Sequence, residues 1–249
     1  MKKVYIIEAI GTLLLVLLGC GAAVFVRSAP ELTVAFVFGA VVLVLAYILG
    51  PISGCHLNPA VTTAMMINKR MSLKEGFTYI GFQFLGAFVG ILILVITSSL
   101  AFGGFDGAQM TRFGANVIND WTIHHSLLVG LIVEIILTFV FVTVILFTTS
   151  KKGNSKTAGA LIGLTLVICI IVGFNITGGS LNPARSFAPA LFAGWTVLKQ
   201  VWVFILGPIL GAVGAAYFSK HLLNTEEDDC SSCKCTDKID DKQSDEIIE

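Results

Sequence analysis

Apolar residues run along this chain in long unbroken blocks, with no alternating or one-faced stripe. Six blocks approach or exceed the roughly 20 residues that a membrane-spanning helix needs. They cover about 4–26, 33–50, 77–101, 126–148, 158–174 and 198–219. Two more blocks, about 58–67 and 182–191, are too short to span, and each opens on Asn-Pro inside hydrophobic sequence. Short segments of this kind suit re-entrant half-helices. Backbone that leaves helix at membrane depth must be buried in protein or line a wet cavity. The expected fold is therefore all-α, with six transmembrane helices and two half-helices.

Composition narrows the class. Apolar residues make up 55% and charged residues 13%, with a mean hydropathy of +0.88. A soluble domain carries about 25% charged residues, so the expected surroundings are a lipid bilayer. Disorder, collagen, a disulfide scaffold and a nucleic-acid binder are excluded for the body of the chain. The net charge of zero hides a division. Residues 224–249 hold ten acidic residues and three lysines, and residues 1–223 hold 13 basic and six acidic ones. A body of +7 carries a tail of −7.

The basic residues also predict orientation. Lys2, Lys3, Lys69, Arg70, Lys74, Lys151, Lys152, Lys156 and Lys220 fall on one side of the spans, and Arg27, Arg112 and Lys199 on the other. Nine against three makes the first side cytoplasmic. Both termini are then inside, and a multi-pass protein of the cell membrane is expected. Lys2, Lys3 and the stretch Leu17-Leu18-Gly19-Cys20 imitate a lipoprotein leader. Glu8 inside the run, and the run's length, read instead as a first span.

The chain repeats itself. Glu8-x-x-x-Thr12 recurs as Glu134-x-x-x-Thr138, and Gly86-Ala87 as Gly211-Ala212. Ser53 to Ala60 recurs as Thr177 to Ala184, ending both times in Leu-Asn-Pro-Ala. The halves run about 1–101 and 126–223. Each holds three spans, and an odd number inverts the second half in the membrane. Inverted repeats with broken helices place a functional site near the midplane.

Asn58-Pro59-Ala60 and Asn182-Pro183-Ala184 have a physical reading. Asn is a favoured N-cap and Pro suits the first helical turn. Two half-helices starting there would bring two positive ends together, each roughly half a charge. Such a pair repels cations, and the Asn amides can donate to a passing acceptor. The preceding residues Gly54, Cys55, His56, Gly178, Gly179 and Ser180 would line a pore with carbonyls. Arg185 follows the second motif as a charge in the apolar zone, a functional candidate by default. Glu8 and Glu134 are expected to be structural buried acids that accept hydrogen bonds from the re-entrant loops. No cofactor, metal or catalytic residue is expected.

At these residues the chain resembles the aquaporin, or major intrinsic protein, family over about residues 1–223. The segments SGCHLNPAVT and TGGSLNPARSFAPA carry the resemblance. It implies a right-handed bundle, a pore in each subunit and a homotetramer. It also implies a selectivity filter at Phe38, Ile170, Gly179 and Arg185. Water channels of the family have His where Ile170 stands, and Ser186 and Ala190 are water-channel-like. Phe, Ile, a small residue and Arg together resemble some microbial, archaeal-type members with a wider, less polar filter. The expectation is a channel for water, and for small neutral solutes such as glycerol and hydrogen sulfide, that excludes protons and ions. A glycerol facilitator with low water flux is the alternative. An ion-coupled transporter is disfavoured, because only Glu8, Glu134 and Arg185 are charged within the membrane. A junction protein of the same fold is disfavoured by the filter Arg and the two motifs.

Among the cysteines, Cys20 and Cys169 are expected to pack, and Cys55 to expose its sulfur to the pore. Residues 224–249 read as a disordered cytoplasmic tail. Its Cys230, Cys233 and Cys235 lack a fourth ligand at a metal-site spacing.

Overall fold

A computed structural model of the chain describes residues 3–26, 30–118 and 126–233, with side chains as far as 223. Ten α-helices are present among the described residues. The first half contains α1 (Lys3–Phe25), α2 (Pro30–Ser53), α3 (Pro59–Ile67) and α4 (Leu73–Ala101). A connection follows with the short α5 (Phe105–Gln109) and a 3₁₀ turn at Arg112–Gly114. The second half contains α6 (Ser126–Thr148), α7 (Ser155–Thr177), α8 (Pro183–Ala190), α9 (Trp195–Leu198) and α10 (Val201–Cys233). Six segments are long and apolar enough to cross a membrane, the last being Trp195–Leu223. These are the six expected blocks, with α3 and α8 as the two short ones.

The ends differ where polar caps extend a helix past its apolar block. Ser72 accepts from the Glu75 N–H at 3.3 Å, and its hydroxyl meets Glu75 Oε2 at 3.3 Å. This N-cap lets α4 begin in polar sequence, before the apolar block starts. Asn154 does the same for α7 by accepting from Lys156 N at 3.0 Å. The backbone of α10 continues as helix to Cys233, into the stretch expected as tail. Propagating an existing helix is far easier than nucleating one. Lys2, Arg27 and residues 234–249, Cys235 among them, lie outside the described residues.

The core is built from equivalent pairs. In the first half α1 packs on α4 and α2, and in the second α6 packs on α10 and α7. Helices α2 and α7 join the halves. Glycine sets these distances. A Cβ on Gly86 would lie 2.0 Å from the Ala9 carbonyl oxygen, and one on Gly90 2.6 Å from that of Leu13. At the equivalent crossing, a Cβ on Gly211 would lie 2.4 Å from the Ile135 oxygen. Small residues in membrane helices permit this backbone approach. Gly86-x-x-x-Gly90 and Gly207-x-x-x-Gly211 thus face neighbours within the chain. Helices α3 and α8 contact each other and sit between α4 and α10, one of these spans from each half.

Candidate functional site

Helices α3 and α8 begin as their sequences require. Asn58, in extended conformation, caps α3 by accepting from Ala60 N at 2.9 Å. Asn182 caps α8 by accepting from Ala184 N at 3.1 Å and Arg185 N at 3.3 Å. The cap uses only the amide oxygen. Each amide nitrogen reaches into the opposite half: Asn58 Nδ2 donates to Leu181 O at 2.8 Å, and Asn182 Nδ2 to Leu57 O at 2.9 Å. The two half-helix N-termini are therefore locked head to head by a reciprocal pair of bonds. A primary amide has two N–H donors. One on each Asn is left for the cavity that both residues line.

The approach to each cap is strained backbone. Leu57 has φ +49° and Leu181 φ +55°, and Cys55 stands at +52°. A left-handed residue with a side chain costs about 1–2 kcal/mol. The buried acids offset this. Glu8 accepts from His56 N at 3.0 Å, Leu57 N at 2.8 Å and Ser53 Oγ at 2.7 Å. Glu134 accepts from Ser180 N and Leu181 N, each at 2.9 Å. A hydrogen bond to a charged group contributes about 1.5–3 kcal/mol, so each strained leucine has a bond of at least matching size. Both acids are fully buried.

Between the halves runs a narrow cavity of about 70 Å³, lined by residues of both. Phe38, Ile170 and Arg185 line it, as do Gly54, Cys55, His56 and Ser180. Thr149 and Met65 line it too. Much of the remaining wall is apolar, including Leu15, Val42, Val61 and Phe141.

Gly178 and Gly179 are not among the lining residues. Gly178 is the left-handed C-cap of α7, and a Cβ there would meet Asn116 Nδ2 at 2.8 Å. Gly179 has φ +59° and lies against the Ile170 backbone, where a Cβ would come within 2.8 Å of its Cα. Its contribution is to let the second loop close onto α7 beside Ile170.

Arg185 is 3% exposed. Its guanidinium lies 4.7 Å from the Phe38 ring centre, a cation–π contact. Nη1 donates to Asn116 Oδ1 and to Gly114 O at 3.5 Å. Nε is buried with no protein partner.

Three comparisons with known proteins bear on this geometry. A sequence profile described as Major intrinsic protein matches residues 1–218. The chain belongs to the major intrinsic protein family. One relative is "Glycerol uptake facilitator protein-like 6" of Lactiplantibacillus plantarum. It is 40% identical over 88% of this chain and 97% of its own length. Another is "Aquaporin Z" of Rhodopseudomonas palustris, 37% identical over 84% of this chain and 88% of its own length. Among solved structures, the aquaglyceroporin from Plasmodium falciparum superposes with a TM-score of 0.73. The match covers 90% of this chain and 97% of that one, at 24% identity. That likeness establishes the fold.

Two residues of the site escape a reading of the family motifs. Asn116, in the connection between the halves, is 3% exposed. It takes Arg185 Nη1 and Ser186 Oγ (2.7 Å) on its oxygen and donates to Thr177 O at 3.0 Å. Gln83 donates to Glu8 Oε2 at 2.8 Å and to Thr62 Oγ1 at 2.9 Å. The Thr62 hydroxyl in turn meets His56 Nδ1 at 3.2 Å. An amide in the middle of an apolar block is a signal that could have singled out Gln83. Asn116 lies in a connection with no pattern, so nothing local marks it.

Proposed function

We propose that this protein is a passive channel, without catalysis, that conducts water and small neutral solutes in file and excludes protons and other ions. The reciprocal Asn58 and Asn182 amides at the meeting of the half-helices carry this reading. They place two positive helix ends and two spare donors at the narrow cavity. A water passing there can accept from each Asn while cations meet like charge. Phe38, Ile170 and Arg185 form the selectivity filter, with Gly179 packed behind Ile170 and Asn116 holding Arg185. The backbone carbonyls of Gly54, Cys55, His56 and Ser180, which line the cavity, supply acceptors.

The channel occupies residues 1–223 and works as a homotetramer with one pore per subunit. Both termini and the acidic stretch 224–249 lie in the cytoplasm of a cell-membrane protein, by the nine-to-three excess of basic residues on that side. Reconstitution into liposomes and stopped-flow light scattering test the central reading. Water permeability well above that of empty liposomes is expected, and equality with them overturns it.

A second reading, a glycerol facilitator with low water flux, is favoured by Ile170. An apolar wall removes a water-binding group and lowers the barrier for a less hydrated solute. The 40% identity to a protein named as a glycerol uptake facilitator points the same way. Glycerol and hydrogen sulfide permeabilities in the same vesicles decide between the two.

A further inference from the structure

The pore gives roles to Arg185 and the two buried glutamates, but not to the basic residues around the exit of α10. Arg70, Lys151, Lys152 and Lys220, with Thr149 and Leu223, line a second cavity of about 520 Å³. None of its lining residues is acidic. Thr149 lines the pore cavity too, and Arg70 Nη1 donates to its Oγ1 at 2.9 Å. The basic cavity therefore adjoins the mouth of the pore.

Four positive side chains around one cavity raise the local potential and favour an anionic occupant. Leu223, at the rim, is the last residue of the final span. The acidic stretch of the sequence begins there. Its reach is sufficient. Helical backbone rising 1.5 Å per residue carries the chain about 15 Å beyond Leu223 by Cys233. Residues 234–249 can extend about 50 Å at ~3.3 Å each. They hold six acidic residues against three lysines. A tethered segment also has an effective concentration that a free anion must exceed to compete.

We propose that segment 234–249 of this chain docks in the basic cavity bounded by Arg70, Lys151, Lys152 and Lys220, beside the pore mouth. The docking depends neither on which solutes pass nor on which side of the membrane is cytoplasmic, because segment and cavity share one face.

The full chain in phosphatidylcholine vesicles tests this. A water-soluble carbodiimide joins contacting carboxylates and lysines, and mass spectrometry maps the joined peptides. Mixing isotope-labelled and unlabelled protein separates links within one copy from links between copies. Links within one copy from Asp237–Glu249 to Lys151, Lys152 and Lys220 are expected, several-fold more abundant than links to Lys3 and Lys74 on the same face. Their yield should fall sharply in 1 M salt, where the screening length drops to ~3 Å. Lys220→Glu should lower the links at Lys151 and Lys152. Equal labelling of Lys3 and Lys74 overturns the proposal. So does a predominance of hybrid-isotope links, which makes a second copy the occupant. Loss of the links on adding phosphatidylglycerol also overturns it, because an anionic lipid headgroup is then the preferred occupant.

Discussion

Ile170 sits where a single side chain decides how polar the pore wall is. It is almost fully buried, lines the cavity with Arg185 and rests its backbone on Gly179. Replacing it with His adds a ring donor and acceptor in the same space. Ile170→His should lower glycerol permeability by about fivefold relative to water, the equivalent of one net hydrogen bond at ~1 kcal/mol. Paired light-scattering measurements of the two solutes check this, and an unchanged ratio removes Ile170 from the filter. Glu134 poses a question of stability. Glu134→Ala strands the N–H groups of Ser180 and Leu181, and a buried donor without a partner costs about 1–3 kcal/mol. A fall in the thermal midpoint of the detergent-solubilised protein is expected, with a smaller fall for Glu134→Gln, which keeps one acceptor oxygen. Residues of this kind were legible in the sequence to different degrees. Asn58 and Asn182 declare themselves because a cap and its helix are neighbours in the chain. Asn116 does not, since its partners Thr177, Arg185 and Ser186 lie 61 to 70 residues away.

Helices meet here through glycines, and the distances separate those that matter from those that do not. A Cβ on Gly86 would collide with the backbone of α1 at Ala9, and backbone cannot swing aside as a side chain can. On the same helix, a Cβ on Gly81 meets nothing within 4 Å. Gly86→Ala should therefore destabilise by about 1–3 kcal/mol, the range for overpacking. Gly81→Ala should be neutral or slightly stabilising, because Ala is the better helix former by about 1 kcal/mol. Thermal unfolding of the two variants in one detergent checks the order, and a larger loss for Gly81→Ala would break the packing account. The elements themselves were largely readable, because block length alone tells span from half-helix. What block length hides is the face each helix turns to its neighbours. Gly86-x-x-x-Gly90 fits a contact between subunits as well as one inside the chain, and only the approach of α1 decides. Sequence also misses how far polar caps such as Ser72 and Asn154 carry a helix beyond its apolar block.

The whole molecule is two copies of one half, and the positions where the copies differ mark what the pseudo-symmetry does not supply. Ser53, His56 and Leu57 around Glu8 match Thr177, Ser180 and Leu181 around Glu134. Gln83 has no such partner, as the equivalent position in α10 is Pro208. Arg185 likewise stands in the second half alone, since Val61 fills its place after the first motif. The shared parts give two opposed helix ends of about half a positive charge each, and Arg185 adds a full one. If their sum is the barrier to protons, its parts should be removable stepwise. Vesicles carrying an entrapped pH-sensitive dye report the leak under an imposed pH gradient. The unaltered protein should leak no faster than empty vesicles. Arg185→Val removes about half of the positive charge and should raise the leak measurably while water still passes. Adding Asn58→Asp keeps the α3 cap but sets a carboxylate against one helix end and deletes the donor to Leu181. The double variant should leak faster than the single one. A double variant that conducts water and holds a pH gradient as well as empty vesicles would show that charge is not the barrier. The orientation imposed on the water file by the remaining Asn182 donor would then have to block the proton by itself.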